Sequence, residues 1–149
     1  MNDILRMNIT EHFTFAEFEA SDTAIRLDIR NVIDTFAKRD AVVALTREVL
    51  EPLRQAYGKP MHINSGYRCP ELNRAVGGSS TSQHMKGEAA DIRTGSQTES
   101  WRLAKLAKDL RLPYDQMILY PTFVHFSHRL SGEQRRAVMY SGDYKGRKV

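Results

Sequence analysis

The sequence predicts an α+β fold: a small single domain with a central antiparallel sheet and flanking helices. The chain has 149 residues, the usual size of one domain, and 41% of them are hydrophobic, which is enough to build a core. Helical and strand-like segments follow one another in runs, without the regular strand–helix–strand alternation of a parallel sheet. There is no repeat, low-complexity segment or linker that would divide the chain.

Helical patterns dominate the first part of the chain. Thr14, followed three residues later by Glu17, is the signature of a capped helix start. Residues 40–57 carry apolar side chains at helical spacing and are followed by a Gly-Lys-Pro stop. Pro52 lies inside this pattern and therefore predicts a kink or a break near Glu51.

The rest of the chain predicts short strands with helices between them. We expect a strand at 61–65, a helical turn at 70–76, a loop at 77–83, a strand at 88–93, a helix at 99–110, and strands at 116–119 and 123–127. The spacing of the apolar residues in the 99–110 helix predicts that four side chains face inward: Trp101, Leu103, Leu106 and Leu110.

The basic composition does not by itself identify a partner. The formal net charge is +4, and Lys and Arg are spread along the chain, with the densest groups at 135–136 and 145–148. This distribution favours a solvated basic surface over a nucleic-acid groove. A basic face also suits an anionic polymer such as a bacterial cell wall. We therefore expect no nucleic-acid partner.

Sequence features also bear on where the protein resides. No apolar run approaches the roughly 20 residues of a membrane span. The first ten residues lack the pattern of a secretory signal, so we expect synthesis in the cytoplasm without a recognisable signal peptide. The single cysteine, Cys69, excludes an internal disulfide and a multi-cysteine zinc site.

Three polar clusters are candidates for one site. His84 and Asp91 flank Gly87, whose missing Cβ permits a backbone path that aims both side chains at one point. Taken alone, these two residues are better explained as a loop histidine in solvent and a strand-edge carboxylate. His125 lies on a predicted strand, on the face opposite Val124 and Phe126. Together His84, Asp91 and His125 offer two nitrogens and one oxygen, a set that a catalytic zinc ion can use with its fourth position open.

The third cluster is Ser65-Gly66-Tyr67-Arg68. An arginine that follows a strand and a glycine turn is suited to bidentate capture of a carboxylate or a developing oxyanion. The alternative for Arg68 is a surface salt bridge.

The order of these motifs resembles a known family. S-G-Y-R, then S-Q-H-M-K-G-E-A-A-D, then D-Q-M-I-L-Y-P-T-F-V-H-F-S is similar to the zinc D-alanyl-D-alanine carboxypeptidases, and most of all to small single-domain peptidases of bacteria and phages. The pattern S-x-H-x-x-G-x-A-x-D is met from Ser82 to Asp91. The likeness runs from about Glu11 to about Arg136.

The resemblance implies a fold, a cofactor and site residues. The fold is that shared with hedgehog signalling domains and several phage endolysins. One Zn²⁺ per chain is implied, held by His84, Asp91 and His125. Arg68 matches an arginine that binds substrate oxygens and takes part in catalysis, and Ser82 matches a serine on the substrate-binding side.

The resemblance also implies an activity and a setting. It indicates a zinc metallopeptidase that hydrolyses peptide bonds of peptidoglycan stem peptides, as a D-Ala-D-Ala carboxypeptidase or an endolysin-like endopeptidase, with zinc-activated water as nucleophile. The expected organisation is one peptidase domain over residues 1–149, with a core at about 11–136 and a basic tail at about 141–149. We expect a monomer that acts at the bacterial cell wall.

One departure from the family pattern concerns the catalytic acid. Many relatives carry Glu or Asp three to six residues before the last histidine, whereas positions 119–122 here hold no carboxylate. Asp115 is a candidate only if the strand pair folds back, and otherwise is a turn or strand-start residue. Tyr120 can bind an oxyanion or donate a proton but is a poor base, since its ordinary pKa is about 10. His62 and His128 are further candidates, each with a structural or exposed alternative.

Three functions are therefore compatible with the sequence. The first is the zinc peptidase, and the second is a catalytically weak or inactive zinc-containing module that binds muropeptides, because the usual carboxylate is not evident. The third is a basic nucleic-acid-binding domain in which the histidines are incidental.

Overall fold

The computed structural model describes residues 7–149 and has an α+β architecture. Six helices are α1 (Phe15–Glu19), α2 (Asp22–Arg26), α3 (Phe36–Leu45), α4 (Glu51–Tyr57), α5 (Pro70–Ala75) and α6 (Gln97–Asp109). Five strands are β1 (Ile63–Ser65), β2 (Ala89–Arg93), β3 (Gln116–Leu119), β4 (Phe123–Ser127) and β5 (Ala137–Tyr140). The predicted fold class is confirmed. Residues 1–6 belong to the segment from which the lack of a recognisable signal peptide was predicted, and they lie outside the residues that the structure describes.

The five strands form one sheet in the order β1-β2-β4-β3-β5. The first four pair antiparallel, as predicted, but β5 pairs parallel to β3. The sheet is therefore mixed, and its fifth strand lies beyond residue 136, where the sequence predicted no element. Past that strand, Tyr144 is 7% exposed and packs into the core.

The long helical segment is continuous from Phe36 to Tyr57, longer at its start than predicted, because Thr35 caps it by accepting the Lys38 N–H. A π-helical turn over Thr46–Leu50 joins α3 to α4. Pro52 follows this turn, and the wider winding accommodates a residue that has no N–H and whose ring would clash with the carbonyl four residues earlier. The irregularity predicted near Glu51 is therefore present as a π turn.

The core lies between these helices and one face of the sheet. Its fully buried members include Val42, Leu45 and Leu53 from the helices, and Ile92, Val124 and Phe126 from the strands. The capping box predicted at Thr14 and Glu17 is present at the start of α1, with the Thr14 N–H donating to the Glu17 carboxylate over 2.7 Å.

The inward face of α6 differs from the prediction. Leu103, Ala104 and Ala107 are buried, and Leu106 is partly buried against the core. The inward placement of Leu110 was wrong: the helix ends at Asp109, and the Leu110 side chain is 43% exposed. Trp101 is half-buried, with the Arg147 guanidinium 4.3 Å from its ring. No helix within residues 7–149 is long and apolar enough to cross a membrane.

Candidate metal centre

The register of the sheet brings two polar side chains face to face. β2 and β4 pair with Asp91 directly opposite His125. Residues paired in this way project from the same face of the sheet with their Cβ atoms about 4.5–5.5 Å apart. Their neighbours Ile92 and Val124 are fully buried on the opposite face. The alternation that builds the core therefore directs Asp91 and His125 away from it, to a common point.

His84 reaches the same point from a short 3-10 helix, Gln83–Lys86. Gly87 ends this helix with a φ of 74°, in the left-handed region that favours glycine. A Cβ on Gly87 would lie 2.5 Å from the Lys38 carbonyl oxygen in α3. Both constraints confirm the prediction that a side chain here would block the path from His84 to Asp91.

A backbone carbonyl fixes the His84 ring. The Nδ1 atom lies 2.7 Å from the Gly66 carbonyl oxygen. Because a carbonyl only accepts hydrogen bonds, Nδ1 carries the proton, and the lone pair of Nε2 is free for a metal. The Arg68 N–H donates to the His84 carbonyl oxygen over 3.1 Å, which ties the two segments together.

Three donor atoms converge between these residues. The Asp91 Oδ1 atom lies 3.4 Å from His84 Nε2 and 2.8 Å from His125 Nδ1, and the three ligand atoms lie within 4.8 Å of one another. Tetrahedral zinc, with bonds of about 2.0–2.1 Å, separates its ligands by about 3.3 Å. The donor types and their spacing therefore fit a zinc ion held by His84, Asp91 and His125.

The protonation states suit a cation as well. Burial would raise the pKa of the Asp91 carboxyl, but the adjacent His84 and His125 rings outweigh burial and hold the pKa well below its usual range. Burial lowers the pKa of His84, against the opposing effect of Asp91. At neutral pH the site therefore presents a carboxylate and a neutral His84, the forms that bind metal.

Arg68 and Tyr120 lie within electrostatic reach of the site. Burial lowers the pKa of the Arg68 guanidinium, and the charge of Asp91 and the phenol of Tyr120 oppose this shift. Among residues 7–149 no carboxylate forms an ion pair with Arg68, and its buried Nε atom has no hydrogen-bond partner. Tyr120 stacks on Phe123, with ring centroids 4.1 Å apart. Burial, followed by the charge of Asp91, raises the Tyr120 pKa, so the phenol is neutral at neutral pH.

A cleft of about 630 Å³ opens beside the triad and is lined by both His125 and Ser82. The Ser82 hydroxyl accepts the His84 N–H over 3.2 Å, so Ser82 also caps the helix that carries His84. Cations and one carboxylate line the same cleft: Lys86, Arg129, Arg135 and Glu88.

Asp115 lies apart from the triad, at the start of β3. Its carboxylate is fully buried. Arg135 donates to it from Nε and Nη2 over 3.0 and 2.7 Å, and from its own N–H over 2.8 Å. Gln83 donates over 3.1 Å, and the Arg129 Nε atom lies 3.3 Å away. Burial acts to raise the pKa, but these partners lower it to about 2. A carboxylate held in this way is poorly suited to accept a proton.

The two other candidate bases have different surroundings. His62 is exposed at the entry to β1 and belongs neither to the triad nor to the residues that line the cleft, so it is not placed to act as the base. His128 is 9% exposed, its Nδ1 atom lacks a partner among the residues that the structure describes, and burial lowers its pKa.

Sequence reasoning missed Gln83, Glu88 and Arg129 as neighbours of the site. Gln83 and Glu88 lie within the S-Q-H-M-K-G-E-A-A-D motif itself. Their closeness in sequence to the ligands His84 and Asp91 was a signal that their side chains border the site. Arg129 carried no such signal, because it reaches the cleft only through the folding of the chain after β4.

Two comparisons with known proteins find matches for this chain. A family model described as Peptidase M15 matches residues 11–127. The zinc D-Ala-D-Ala carboxypeptidase of Streptomyces albus G is 44% identical over 62 residues, which are 41% of this chain and 24% of that protein. The chain thus aligns with about a quarter of that relative's length.

Proposed function

The chain belongs to the Peptidase M15 family, and we propose that it is a zinc peptidase that hydrolyses peptide bonds in peptidoglycan stem peptides. The observation that carries the proposal is the His84, Asp91 and His125 triad at the edge of a cleft large enough for a peptide. The name of the Streptomyces albus G relative supports D-Ala-D-Ala ends as the first substrate to test.

The side chains around the triad support hydrolysis of an amide. A zinc ion held there supplies a Lewis acid and a water of lowered pKa. Arg68 is a half-buried cation without a carboxylate partner in the described part of the chain, and we assign it to the oxygen on which negative charge develops. The neutral Tyr120 phenol is suited to donate a hydrogen bond to the same oxygen or a proton to the leaving amine.

We also assign Ser82 to the part of the site that binds the substrate. Its hydroxyl lines the cleft while accepting the His84 N–H, so its position is fixed by the helix that carries a ligand. We propose that it contacts the peptide on the His125 side of the cleft. We further propose that the protein acts at the bacterial cell wall as a monomer.

A second candidate function is a zinc-containing module that binds muropeptides without turnover. It is favoured by Asp115, because a buried carboxylate with a pKa of about 2 and two hydrogen bonds from the Arg135 side chain is a poor proton acceptor. In this case Arg68, beside a zinc ion that His84, Asp91 and His125 would hold, would bind a carboxylate of the peptide without cleavage.

One experiment separates the two functions. The zinc-loaded protein is incubated with purified peptidoglycan and with a defined pentapeptide ending in D-Ala-D-Ala, and free D-Ala and new amine ends are measured. Release of D-Ala identifies a carboxypeptidase, and new amine ends without D-Ala identify an endopeptidase. His84→Ala abolishes either product, whereas His62→Ala, a matched change at an exposed histidine, leaves it intact. Peptide binding without any product supports the module instead.

A further inference from the structure

Two arginines, Arg129 and Arg135, line the same cleft as His125. Arg129 and Arg135 both approach the fully buried Asp115 carboxylate. Their side chains are nevertheless 38% and 46% exposed, so each is anchored at one edge and open to the cleft at the other. A buried carboxylate that holds two guanidinium groups at a surface fixes their positions before a ligand arrives.

The Arg135 side chain donates hydrogen bonds to both oxygens of the Asp115 carboxylate, and this leaves the Arg129 guanidinium available to a ligand. Arg135 makes two side-chain hydrogen bonds to Asp115, the bidentate geometry that an arginine and a carboxylate prefer. The Arg129 Nε atom lies 3.3 Å from the same carboxylate, and its guanidinium donates no hydrogen bond to any residue in the range 7–149. The N–H groups on its two Nη atoms are therefore free for an acceptor in the cleft.

The backbone around Arg129 is held in place. The Gln134 side chain accepts the Arg129 N–H over 2.8 Å and donates to the Arg129 carbonyl oxygen over 2.9 Å. The next residue, Leu130, donates its N–H to the Glu88 carboxylate over 2.9 Å. Glu88 directly precedes β2, the strand that carries Asp91. The backbone next to Arg129 is therefore tied to the strand that carries a metal ligand.

The charges around the cleft favour an anionic ligand once the metal is bound. Lys86, Arg129 and Arg135 balance the carboxylates Glu88, Asp115 and Asp91 without a metal, and a Zn²⁺ ion held by the triad would leave two positive charges in excess. The Glu88 carboxylate already accepts hydrogen bonds from Gln83 and Leu130. An anionic group is therefore the ligand that this side of the cleft favours.

We infer that Arg129, with Arg135 and Lys86, forms a subsite that recognises a free carboxylate of the peptide substrate away from the bond that is cleaved. The inference rests on the proposed function and adds a substrate class to it: peptides that carry an ionised carboxylate within the stem, as opposed to the same peptides with that group amidated. Asp115 acts as a positioning residue for the arginines.

The test uses two stem pentapeptides that differ in one group, the free α-carboxylate or the carboxamide of a γ-linked D-glutamyl residue. Dissociation constants and hydrolysis rates are measured on the zinc-loaded protein for both peptides. The wild-type protein binds the free acid about tenfold more tightly, the effect of one partly exposed charge-assisted hydrogen bond. Arg129→Gln removes this preference and leaves binding of the amide unchanged.

Controls address folding and charge. Arg129→Gln leaves the Arg135–Asp115 pair intact, and Arg135→Lys, which keeps the charge but not the fork, is a second variant in case the first fails to fold. Arg47→Gln removes an equal charge from an exposed helical position and leaves the preference intact.

The outcomes distinguish this inference from the proposed function. A tenfold binding preference without hydrolysis retains the subsite and rejects the peptidase. Hydrolysis of both peptides with equal affinity, or a preference that survives Arg129→Gln and Arg135→Lys, overturns the subsite and retains the peptidase. Failure to bind either peptide overturns both.

Discussion

Replacing Gly66 with alanine tests whether the backbone at β1 sets the geometry of the metal centre. Gly66 lies where α1 and the segment after β1 touch, next to the 2.7 Å hydrogen bond from the Tyr67 N–H to the Phe18 carbonyl oxygen. A Cβ on Gly66 would lie 2.7 Å from Phe18 Cα and 2.8 Å from both Phe18 Cδ1 and the Phe18 carbonyl oxygen. Two of these three atoms belong to the backbone, so a rotamer change cannot relieve the clash.

The size of the effect follows from these distances. The shortest contact is about 0.8 Å below the roughly 3.5 Å at which two carbon atoms attract each other. Overpacking of this kind in a close-packed core lowers the free energy of unfolding by about 1–3 kcal/mol. The movement also shifts the Gly66 carbonyl oxygen, which accepts the His84 Nδ1 proton. Loss of such an orienting hydrogen bond weakens metal affinity by about 10–100-fold.

Two measurements check this prediction. Urea unfolding of the apo protein gives the stability change, and competition with a chromophoric chelator gives the zinc affinity. Gly142→Ala is the matched control, because a Cβ added there would meet nothing within 4 Å and the Gly142 φ is not positive. We expect Gly142→Ala to change stability by no more than about 0.5 kcal/mol. If Gly66→Ala leaves both stability and zinc affinity at their wild-type values, the coupling between this contact and His84 is refuted.

Three further predictions concern single residues. Under the proposed role of Tyr120, in which the phenol acts on the developing charge and not on the metal, Tyr120→Phe lowers kcat by about 10–100-fold and leaves zinc affinity unchanged, measured by steady-state kinetics and chelator competition. For Asp115, the folded pKa of about 2 lies below the ordinary 3.8, so its stabilisation is present above about pH 4 and is lost as pH falls towards 2. This loss amounts to at most about 2.5 kcal/mol, and Asp115→Asn, with urea unfolding followed against pH, removes that part of the dependence. Leu53→Ala, at a fully buried position, lowers the free energy of unfolding by about 2–5 kcal/mol in the same assay, and a change below about 1 kcal/mol contradicts the assigned core.

Local patterns made most elements predictable, whereas the metal centre was predicted from the order of the family motifs, because His84 and Asp91 taken alone are better explained as ordinary polar residues. The alternation in β4 assigns His125 to the face opposite Val124 and Phe126, and the structure has that burial pattern. Helical spacing predicted α3 and α4, because their core residues recur every three or four positions. These signals are contained within short windows of sequence, and tertiary packing reinforced them.

The features that the sequence did not predict depend on distant partners. β5 pairs parallel with β3, and its residues Ala137–Tyr140 are at most half-buried, so they lack the strong alternation of β4. The environment of Asp115 is set by Arg135, twenty residues away, and by Gln83, thirty-two residues away. No spacing rule anticipates such pairs, because the intervening chain must first fold.

The proton acceptor is the point at which the two candidate functions differ. Arg68 and Tyr120, the donors that we propose for a substrate oxygen near the triad, would stabilise a bound anionic peptide and a charged transition state alike. Among the described residues that line the cleft, Glu88 is the only carboxylate, and both of its oxygens already accept hydrogen bonds, from Gln83 and Leu130. Turnover requires a group that takes a proton and then releases it to the leaving amine. A high affinity for stem peptides therefore follows from either function, and only the rate of product formation separates them.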